Sequence, residues 1–381
     1  MHEPNNLADQ LRSRRQFLRD AAGLAVAGAV STMPDVAPAA PPPVRTFRRG
    51  GMLYRQLGRS DLFVSALSFG SHTDPAFRVH QGPGISTLNP KGQALRDRHI
   101  AKALDRGVNM VDVYDRAGQW KPIAETVRSR RDRVLVSLCR EFSQVIGDHV
   151  EHAARRFGHV DLYRLAINDG PVTEPTLEAW DAVQRARRMG DLRATGIASH
   201  CEEAMLSALD KLEGLDFIMF PYNFIHARAD YSRFLPKAIE RGIGLIAIKP
   251  LAAGSIVQLD PLAQHGSKPE DPQVRLYKRA NRSLLPAVVQ KLTEHLDRVP
   301  DESLCQAALR FVYARPFITS AMPGMFQEHE VDDNIAAIQR HLVLTPDEHA
   351  VLDHARHLCR AQGPRWLPPH YRWLDRCWRH A

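Results

Sequence analysis

The chain has 381 residues, of which 44% are hydrophobic and 25% charged, and its 51 Lys and Arg against 43 Asp and Glu make the net charge +8. These proportions exclude a collagen, a disordered chain and a polytopic membrane protein. The basic residues are spread along the chain, which favours a solvated basic surface over nucleic-acid binding. Five cysteines without a CxxC pair are too few for a disulfide scaffold or a zinc knuckle.

The first forty residues carry the features of an export signal. Arg14 and Arg15 precede an apolar run of small residues at 21–30, and a small-x-small pattern follows at 37–39. Together these features predict a twin-arginine signal over residues 1–40, with the twin-arginine translocase as partner and the periplasm as destination. Ten apolar residues are too few to span about 30 Å of hydrocarbon, so we expect no stable membrane insertion. A chance amphipathic helix is the alternative interpretation.

After a predicted extended linker at 41–52, strands and helices alternate along the chain. Several predicted helices end at a glycine, as at Gly107 and Gly158, before the next apolar run. Continuous alternation without a GxGxxG motif predicts an α/β fold, a (β/α)8 TIM barrel over 53–355, rather than an open doubly wound sheet. Strands are predicted at 62–70, 109–113, 133–138, 160–167, 194–198, 217–221, 245–249 and 317–321. Helices are predicted at 97–106, 149–157, 177–189, 202–212, 231–241 and 303–314.

Two stretches do not fit this alternation. Residues 252–298 form an insertion after the seventh strand, and in a barrel such insertions lie on the carboxyl-terminal face, where ligands bind. Residues 356–381 form a tail rich in Trp and Arg, including Trp378. The tail is either a lid over that face or a solvated end, and both hypotheses stay open. Cys359 and Cys377 could close a loop of this tail in an oxidising compartment.

Short phrases along residues 53–350 resemble the aldo/keto reductase superfamily. Each phrase is weak, but their order strengthens the resemblance, which implies the same barrel. It also implies reduction of carbonyl compounds with a nicotinamide cofactor, usually NADPH, and without a metal. The phrases are YRQLGRS at 54–60, GVNMVD at 107–112, DLY at 161–163, GIAS at 196–199, PYN at 221–223, KPLAAG at 249–254 and PG at 323–324, with Asn334.

The catalytic positions that the resemblance implies are largely altered. The family protonates the developing alkoxide with a Tyr whose pKa is lowered by a Lys and an Asp, while a His orients the carbonyl. Asp112 matches the family Asp, but Ala117 stands at the Tyr position, Cys139 at the Lys position and Ala166 at the His position. The usual proton relay therefore cannot operate in this chain.

The cofactor positions are altered as well. Ser199 and His200 stand where the family has Ser-Asn, and Met219 stands in place of a Gln. Gly324 and Glu330 stand at the positions of the Lys and Arg that grip the 2′-phosphate of NADPH. A carboxylate there would repel a phosphate, which favours NAD, or no nicotinamide, over NADP. The residues predicted to contact a cofactor are Ser199, His200, Pro250, Leu251, Gly254, Gly324 and Asn334.

Polar residues at the expected barrel mouth offer substitutes for the lost relay. Tyr114 could supply the proton, with Lys249 or Arg140 lowering its pKa, or it could be a strand tyrosine with no chemical role. Cys139 beside Arg140 could be a thiolate nucleophile, or a small buried side chain at a strand end. For an oxidoreductase, the predicted catalytic residues are Asp112, Tyr114, Cys139 and Lys249. Three functions remain open.

The first function is an exported, monomeric aldo/keto reductase-like oxidoreductase acting on a small carbonyl or hydroxyl compound. The second is a metal-dependent or non-redox enzyme that uses the mouth through His72, Cys139 and His200, with Asp112 as a further ligand. These residues come from separate strands and share no spacing motif. The third is a catalytically inert binding protein of the periplasm.

Overall fold

A computed structural model of the protein describes residues 44–79, 87–114, 117–140, 145–168, 170–224, 228–252, 256, 302–362 and 378. The predicted export signal, nearly all of the predicted insertion at 252–298, and the predicted site residue Gly254 lie outside these residues. So do Cys377 and the side chains of Cys359 and Tyr114, so the predicted loop closure is not tested. Within the described part of the chain, no helix is both long and apolar enough to cross a membrane.

A three-stranded antiparallel sheet precedes the barrel. It consists of β1 (Thr46–Arg49), β2 (Met52–Gln56) and β3 (Phe63–Ser65). Gly50 and Gly51, with φ of 57° and 83°, form the two-residue turn between β1 and β2, a conformation that favours glycine. The segment predicted as an extended linker therefore contains a paired strand, because this turn folds residues 46–49 back onto 52–55.

The barrel itself is closed. Seven parallel strands follow one another in the order β10-β9-β8-β7-β6-β5-β4. Residues 66–69 complete the circle: Ser68 N donates to Ala321 O at 3.0 Å on one side, and Phe69 N donates to Met110 O at 2.9 Å on the other. This confirms the predicted (β/α)8 barrel. The strands are β4 (Met110–Tyr114), β5 (Leu135–Arg140), β6 (Val160–Ala166), β7 (Leu192–Ala198), β8 (Phe217–Pro221), β9 (Gly244–Ile248) and β10 (Ile318–Met322).

Six of the nine described helices lie at or near their predicted places, with differences at the ends, and the helices at 120–127, 328–339 and 346–362 were not predicted. The first begins at Pro90, before the predicted 97, because the Asn89 side chain accepts a hydrogen bond from Gly92 N and caps the helix. The last continues to Gln362, so the predicted tail at 356–381 begins inside a helix. The described helices are α1 (Pro90–Asp105), α2 (Trp120–Val127), α3 (Ile146–Phe157), α4 (Glu174–Arg188), α5 (Glu202–Lys211), α6 (Phe234–Glu240), α7 (Leu304–Tyr313), α8 (Glu328–Gln339) and α9 (Pro346–Gln362).

One end of the barrel is filled by apolar side chains. Leu57, Leu62 and Val64, from β3 and the turn before it, pack with Met110 and Leu135, which stand at the starts of barrel strands. This cluster removes the amino-terminal end of the barrel interior from water. The carboxyl ends of the strands, where barrel proteins bind their ligands, are therefore the open side.

Candidate active site

The floor of the open side holds a fully buried ion pair. The Arg164 guanidinium meets the Asp112 carboxylate in a bidentate contact, with Nη1–Oδ1 at 2.6 Å and Nη2–Oδ2 at 2.9 Å. Ser71 Oγ and Ser137 Oγ donate to the same carboxylate at 2.6 and 2.9 Å. The side chains of Asp112 and Arg164 are 2% and 1% exposed. Asp112 is thus held as a counter-ion.

Sequence reasoning did not find Arg164, although a signal was present. Arg164 stands in the middle of the apolar strand β6, two residues after Leu162, which packs inside the barrel. Side chains two apart on a strand face the same side, so a charged residue at this position needs a buried partner. The register places Arg164 beside Cys139 of β5. The neighbouring strand thus supplies the cation that the family places at the Cys139 position.

Cys139 lies in the barrel wall, 1% exposed, with Sγ 3.8 Å from the Arg140 carbonyl oxygen. Tyr114 is the last residue of β4 and pairs in register with Cys139. Ala166, the last residue of β6, is exposed and stands at the position where the family has its His. The replacement of an imidazole by a methyl group leaves this part of the mouth open.

A second polar group lies at the rim and joins the ends of three strands. Lys249 Nζ, just after β9, is 2.9 Å from His200 Nε2, two residues after β7. His200 Nδ1 is 3.0 Å from Asn168 Oδ1, two residues after β6. Because an ammonium is only a donor, we assign the Nδ1–H tautomer to His200, which donates to Asn168 and accepts from Lys249.

The environment of the rim disfavours positive charge. Burial, and after it the charge of the Arg228 guanidinium, lower the pKa of Lys249 to about 8. Burial, Lys249 and Arg228 lower the pKa of His200 well below its usual range, consistent with the neutral ring that accepts from Lys249. His72 is partly open to solvent, yet the surrounding protein and then Lys249 lower its pKa to about 4. The charge of Asp112 acts in the opposite direction and raises the pKa of His72 by less than these effects lower it.

The backbone after β9 has an unusual conformation. Lys249 has φ of 54° and Ala252 has φ of 48°, in the left-handed region that non-glycine residues rarely occupy. Asn223 Nδ2 donates to the Lys249 carbonyl oxygen at 3.1 Å, and Ala252 N donates to it at 2.9 Å. Pro250 is buried and Leu251 partly buried within this turn. Such strained turns persist where surrounding contacts hold them, and they cluster at functional sites.

The carboxyl-terminal tail returns to this rim at one described residue. Trp378 is 6% exposed, and its indole Nε1 donates to the His200 carbonyl oxygen at 2.6 Å. The Arg228 guanidinium carbon lies 5.1 Å from the centre of the indole ring. These contacts place the Trp378 indole at the rim of the barrel mouth.

The hypothesis of a metal centre finds no support in the part of the chain that the structure describes. There, no group of three or more His, Cys, Asp or Glu side chains is arranged to hold a metal ion. His72 is exposed, Cys139 is buried in the wall, and His200 is engaged with Lys249. The paired Asp112 carboxylate is already held by Arg164.

The predicted cofactor positions fit a nicotinamide dinucleotide in part. Asn334 in α8 is buried, and its Nδ2 has no hydrogen-bond partner among the described residues, so an acceptor could be bound there. Gly324 is exposed, and among the described residues an added Cβ would touch only Phe326, at 3.8 Å, which leaves room for a ligand there. Glu330 Oε2 accepts from the Phe326 and Gln327 backbone N–H groups and caps α8.

Other predicted cofactor contacts are used within the protein. Ser199 is buried, and its Oγ accepts from Cys201 N at 3.0 Å. Met219 is buried in the interior cluster. At the two positions where the resemblance implies cations that bind a 2′-phosphate, this chain has the Glu330 carboxylate and Gly324.

A closed (β/α)8 barrel with polar groups at the carboxyl ends of its strands belongs to the class of proteins that bind small ligands at that mouth. The model of the Aldo/keto reductase family matches residues 84–357, and the chain belongs to this family. The matched segment includes the floor and rim residues from Asp112 to Asn334.

Relatives of known name are distant but cover most of the chain. L-glyceraldehyde 3-phosphate reductase of Escherichia coli K12 is 22% identical, over 84% of this chain and 96% of that protein. L-galactose dehydrogenase of Arabidopsis thaliana is 21% identical, over 74% and 87%. A probable voltage-gated potassium channel subunit beta of the same plant is 26% identical, over 84% and 100%. These matches support an aldo/keto reductase-like oxidoreductase as the general class.

The structure is similar to that of an aldo-keto reductase from Bacillus halodurans solved in its holo form. That likeness has a TM-score of 0.59 at 21% identity and covers 79% of this chain and 95% of the other. It supports the barrel fold.

Proposed function

We propose that the protein is an oxidoreductase that interconverts a small carbonyl compound and its alcohol with a nicotinamide cofactor. The observation that carries this proposal is the hydrogen-bonded group Lys249–His200–Asn168 at the open end of an aldo/keto reductase barrel. It places a proton-carrying amine at the mouth of a chain that lacks the family's Tyr, Lys and His. Hydride transfer to a carbonyl needs such a proton source.

The names of two relatives support a small polyhydroxylated substrate. One is called a reductase of L-glyceraldehyde 3-phosphate and the other a dehydrogenase of L-galactose. The polar rim and the space at Ala166 are compatible with a compound of this size and polarity. We therefore propose a sugar or a short-chain relative of a sugar as the substrate class.

We further propose that the cofactor is NAD rather than NADP. When bound, a nicotinamide supplies or accepts the hydride. Asn334 and the open space at Gly324 would hold it, while Glu330 disfavours a 2′-phosphate. Pro250 and Leu251, and Gly254 outside the described residues, remain proposed contacts from the turn after β9.

A fluorescence titration of the full chain with NADH and NADPH tests the proposal. We expect NADH to bind more tightly. Glu330→Gln keeps a side-chain oxygen for the cap of α8 but removes the charge, so the affinity for NADPH should rise by about fivefold relative to NADH, the equivalent of about 1 kcal/mol. Binding of neither cofactor, together with no reduction of glyceraldehyde, would contradict the proposed function.

We also propose that residues 1–40 direct the folded protein to the periplasm through the twin-arginine translocase, which is then a transient partner. The support is the pair Arg14 and Arg15 before a short apolar run. Replacing both by Lys should retain the protein in the cytoplasm, as measured by fractionation with antibody detection. The matched control replaces Arg48 and Arg49, which lie beyond the predicted signal, and should leave export unchanged.

A further inference from the structure

We propose that Lys249 is the catalytic residue that exchanges a proton with the substrate oxygen, with His200 and Asn168 as its positioning residues. This inference rests on the proposed oxidoreductase function and names the group that replaces the family's tyrosine.

The first support is the geometry of the three side chains. The 2.9 Å contact between Lys249 Nζ and His200 Nε2 is a good N–H···N hydrogen bond, and the 3.0 Å contact to Asn168 fixes the imidazole ring. An ammonium has three N–H donors, and the bond to His200 occupies one of them. The chain of contacts thus orients the amine without neutralising its charge.

The second support is the backbone, which holds Lys249 in place. Its φ of 54° is unfavourable for a lysine, and the carbonyl oxygen is held by Asn223 and by Ala252 N. A lysine that only carries charge at the surface needs neither a positive φ nor hydrogen bonds that hold its carbonyl oxygen, because backbone strain would not improve its contact with water. The contacts instead fix the point from which the long side chain starts, as a proton donor at a defined place requires.

The third support is the state of the two other candidates whose side chains the structure describes, Asp112 and Cys139. Both Asp112 oxygens are already bound by Arg164 and two serines, so a proton on this carboxylate would break the buried pair. Cys139 is sealed in the barrel wall. Lys249 is partly exposed at the mouth, and its pKa of about 8 lies close to neutral pH, where a general acid is most effective.

In the direction of reduction, the step balances as follows. The carbonyl carbon takes a hydride, with its electron pair, from a dihydronicotinamide, and the carbon–oxygen π pair moves to the oxygen. Lys249 Nζ gives one proton to that oxygen, forming the O–H bond of the alcohol and leaving a neutral amine. Solvent returns the proton to the amine. In oxidation, the neutral amine of Lys249 accepts the hydroxyl proton.

The protonation of Lys249 can be measured without any cofactor. We would label the full-length protein competitively with acetic anhydride across pH and follow each lysine by mass spectrometry, with the exposed Lys121 as internal reference. The expected midpoint for Lys249 is near 8. In His200→Phe the midpoint should fall further, because the ammonium loses an acceptor, and His200→Gln should restore it in part. A Lys249 midpoint equal to that of Lys121, unmoved by His200→Phe, would overturn the proposal.

Activity then separates this inference from the proposed function. In Lys249→Met, NADH should still bind, and kcat for glyceraldehyde should fall by roughly 10²–10⁴-fold. Lys249→Gly, which suits the positive φ, is the second variant if the Met protein does not fold. If the wild type reduces the substrate and either folded variant keeps kcat within about threefold of the wild-type value, the role of Lys249 is wrong while the proposed function stands. If the wild type binds no nicotinamide and reduces nothing, the proposed function fails and the inference with it.

Discussion

Two charged groups lie in the same barrel at different depths, and they have opposite properties. At the floor, Asp112 and Arg164 are almost completely buried, and each neutralises the other through two hydrogen bonds. At the rim, Lys249 contacts a neutral imidazole, and the positive charge of Arg228 opposes its own. The floor pair is held by its own contacts, whereas the rim amine, with a pKa of about 8, can exchange a proton near neutral pH.

This difference separates a residue that is held as part of the structure from one that we propose carries the chemistry. Asp112 is the one catalytic residue that matches the family in sequence, yet its surroundings make it a fixed counter-ion. Lys249 lies in a phrase with family precedent, yet its surroundings make it titratable. Depth and pairing, rather than residue identity, therefore separate the two roles.

The largest expected effect is on the stability of the floor. Arg164→Met should lower the free energy of unfolding by about 3–5 kcal/mol, because it leaves the Asp112 carboxylate buried without its cation. Urea denaturation measures this loss. The double variant Asp112→Leu with Arg164→Met removes both charges and should recover most of it. A single-variant loss below about 1 kcal/mol would show that water reaches the floor.

At the rim, removal of charge should stabilise the protein instead. The folded pKa of Lys249, about 8, is below its ordinary 10.5, so the unfolded chain binds more protons between these values and stability rises with pH across that window. Lys249→Met should therefore be more stable than the wild type at pH 7 by roughly 1–2 kcal/mol, since one pKa unit corresponds to about 1.4 kcal/mol and partial exposure reduces the gain. The advantage should vanish by about pH 10.5; equal stability at every pH would contradict it.

The contact of Trp378 with the His200 carbonyl tests whether the rim depends on this side chain. Trp378→Phe keeps an aromatic ring for Arg228 but removes the 2.6 Å hydrogen bond to the His200 carbonyl, at a cost of about 1 kcal/mol. We expect a modest fall in melting temperature and a larger change in KM than in kcat. Phe47→Leu, at an exposed aromatic remote from the mouth, is the control. Unchanged KM in Trp378→Phe would mean that the tail packs there without serving the site.

The smallest effect is expected at Cys139. Its thiol is buried in the wall, so iodoacetamide should leave it unmodified in the native protein and modify it in urea, as followed by mass spectrometry of the peptide. Cys139→Ala should leave kcat within about twofold. Rapid modification of native Cys139 with loss of activity would instead support a thiolate nucleophile at Cys139 and would argue against Lys249 as the reacting group.

Much of the fold could be predicted because its signals are local. Glycine-ended helices and apolar strands of the right length repeat along the chain, and their order predicts a barrel. The start of α1 was missed because its cap, Asn89, precedes a segment with little apolar periodicity. The strand β1 was missed because four exposed residues carry no hydrophobic pattern, and only pairing across Gly50 and Gly51 makes them a strand.

The candidate site was predictable as a location but not as an arrangement. The carboxyl ends of the strands, with Lys249 and His200 among the residues there, follow from the order of the elements, whereas the contact of Asn168 with His200 was found only in the structure. The catalytic role of Tyr114 stays a prediction, because the structure does not describe its side chain. The cofactor contact of Gly254 stays a prediction as well, because this residue lies outside the described ranges. Arg164 was overlooked because a single arginine in a strand does not reveal its partner.

The sequence by itself determined the family, the barrel and the ring of polar residues that meet at its mouth, because these depend on periodicity and on the order of strands. Only the tertiary structure decided which of those residues bind one another. Asp112 and Arg164 are 52 positions apart, Lys249 and His200 are 49 apart, and Trp378 and His200 are 178 apart. The physical reason is that burial and the charge of spatial neighbours set whether a side chain holds the fold or carries a proton, and neither is encoded in local sequence.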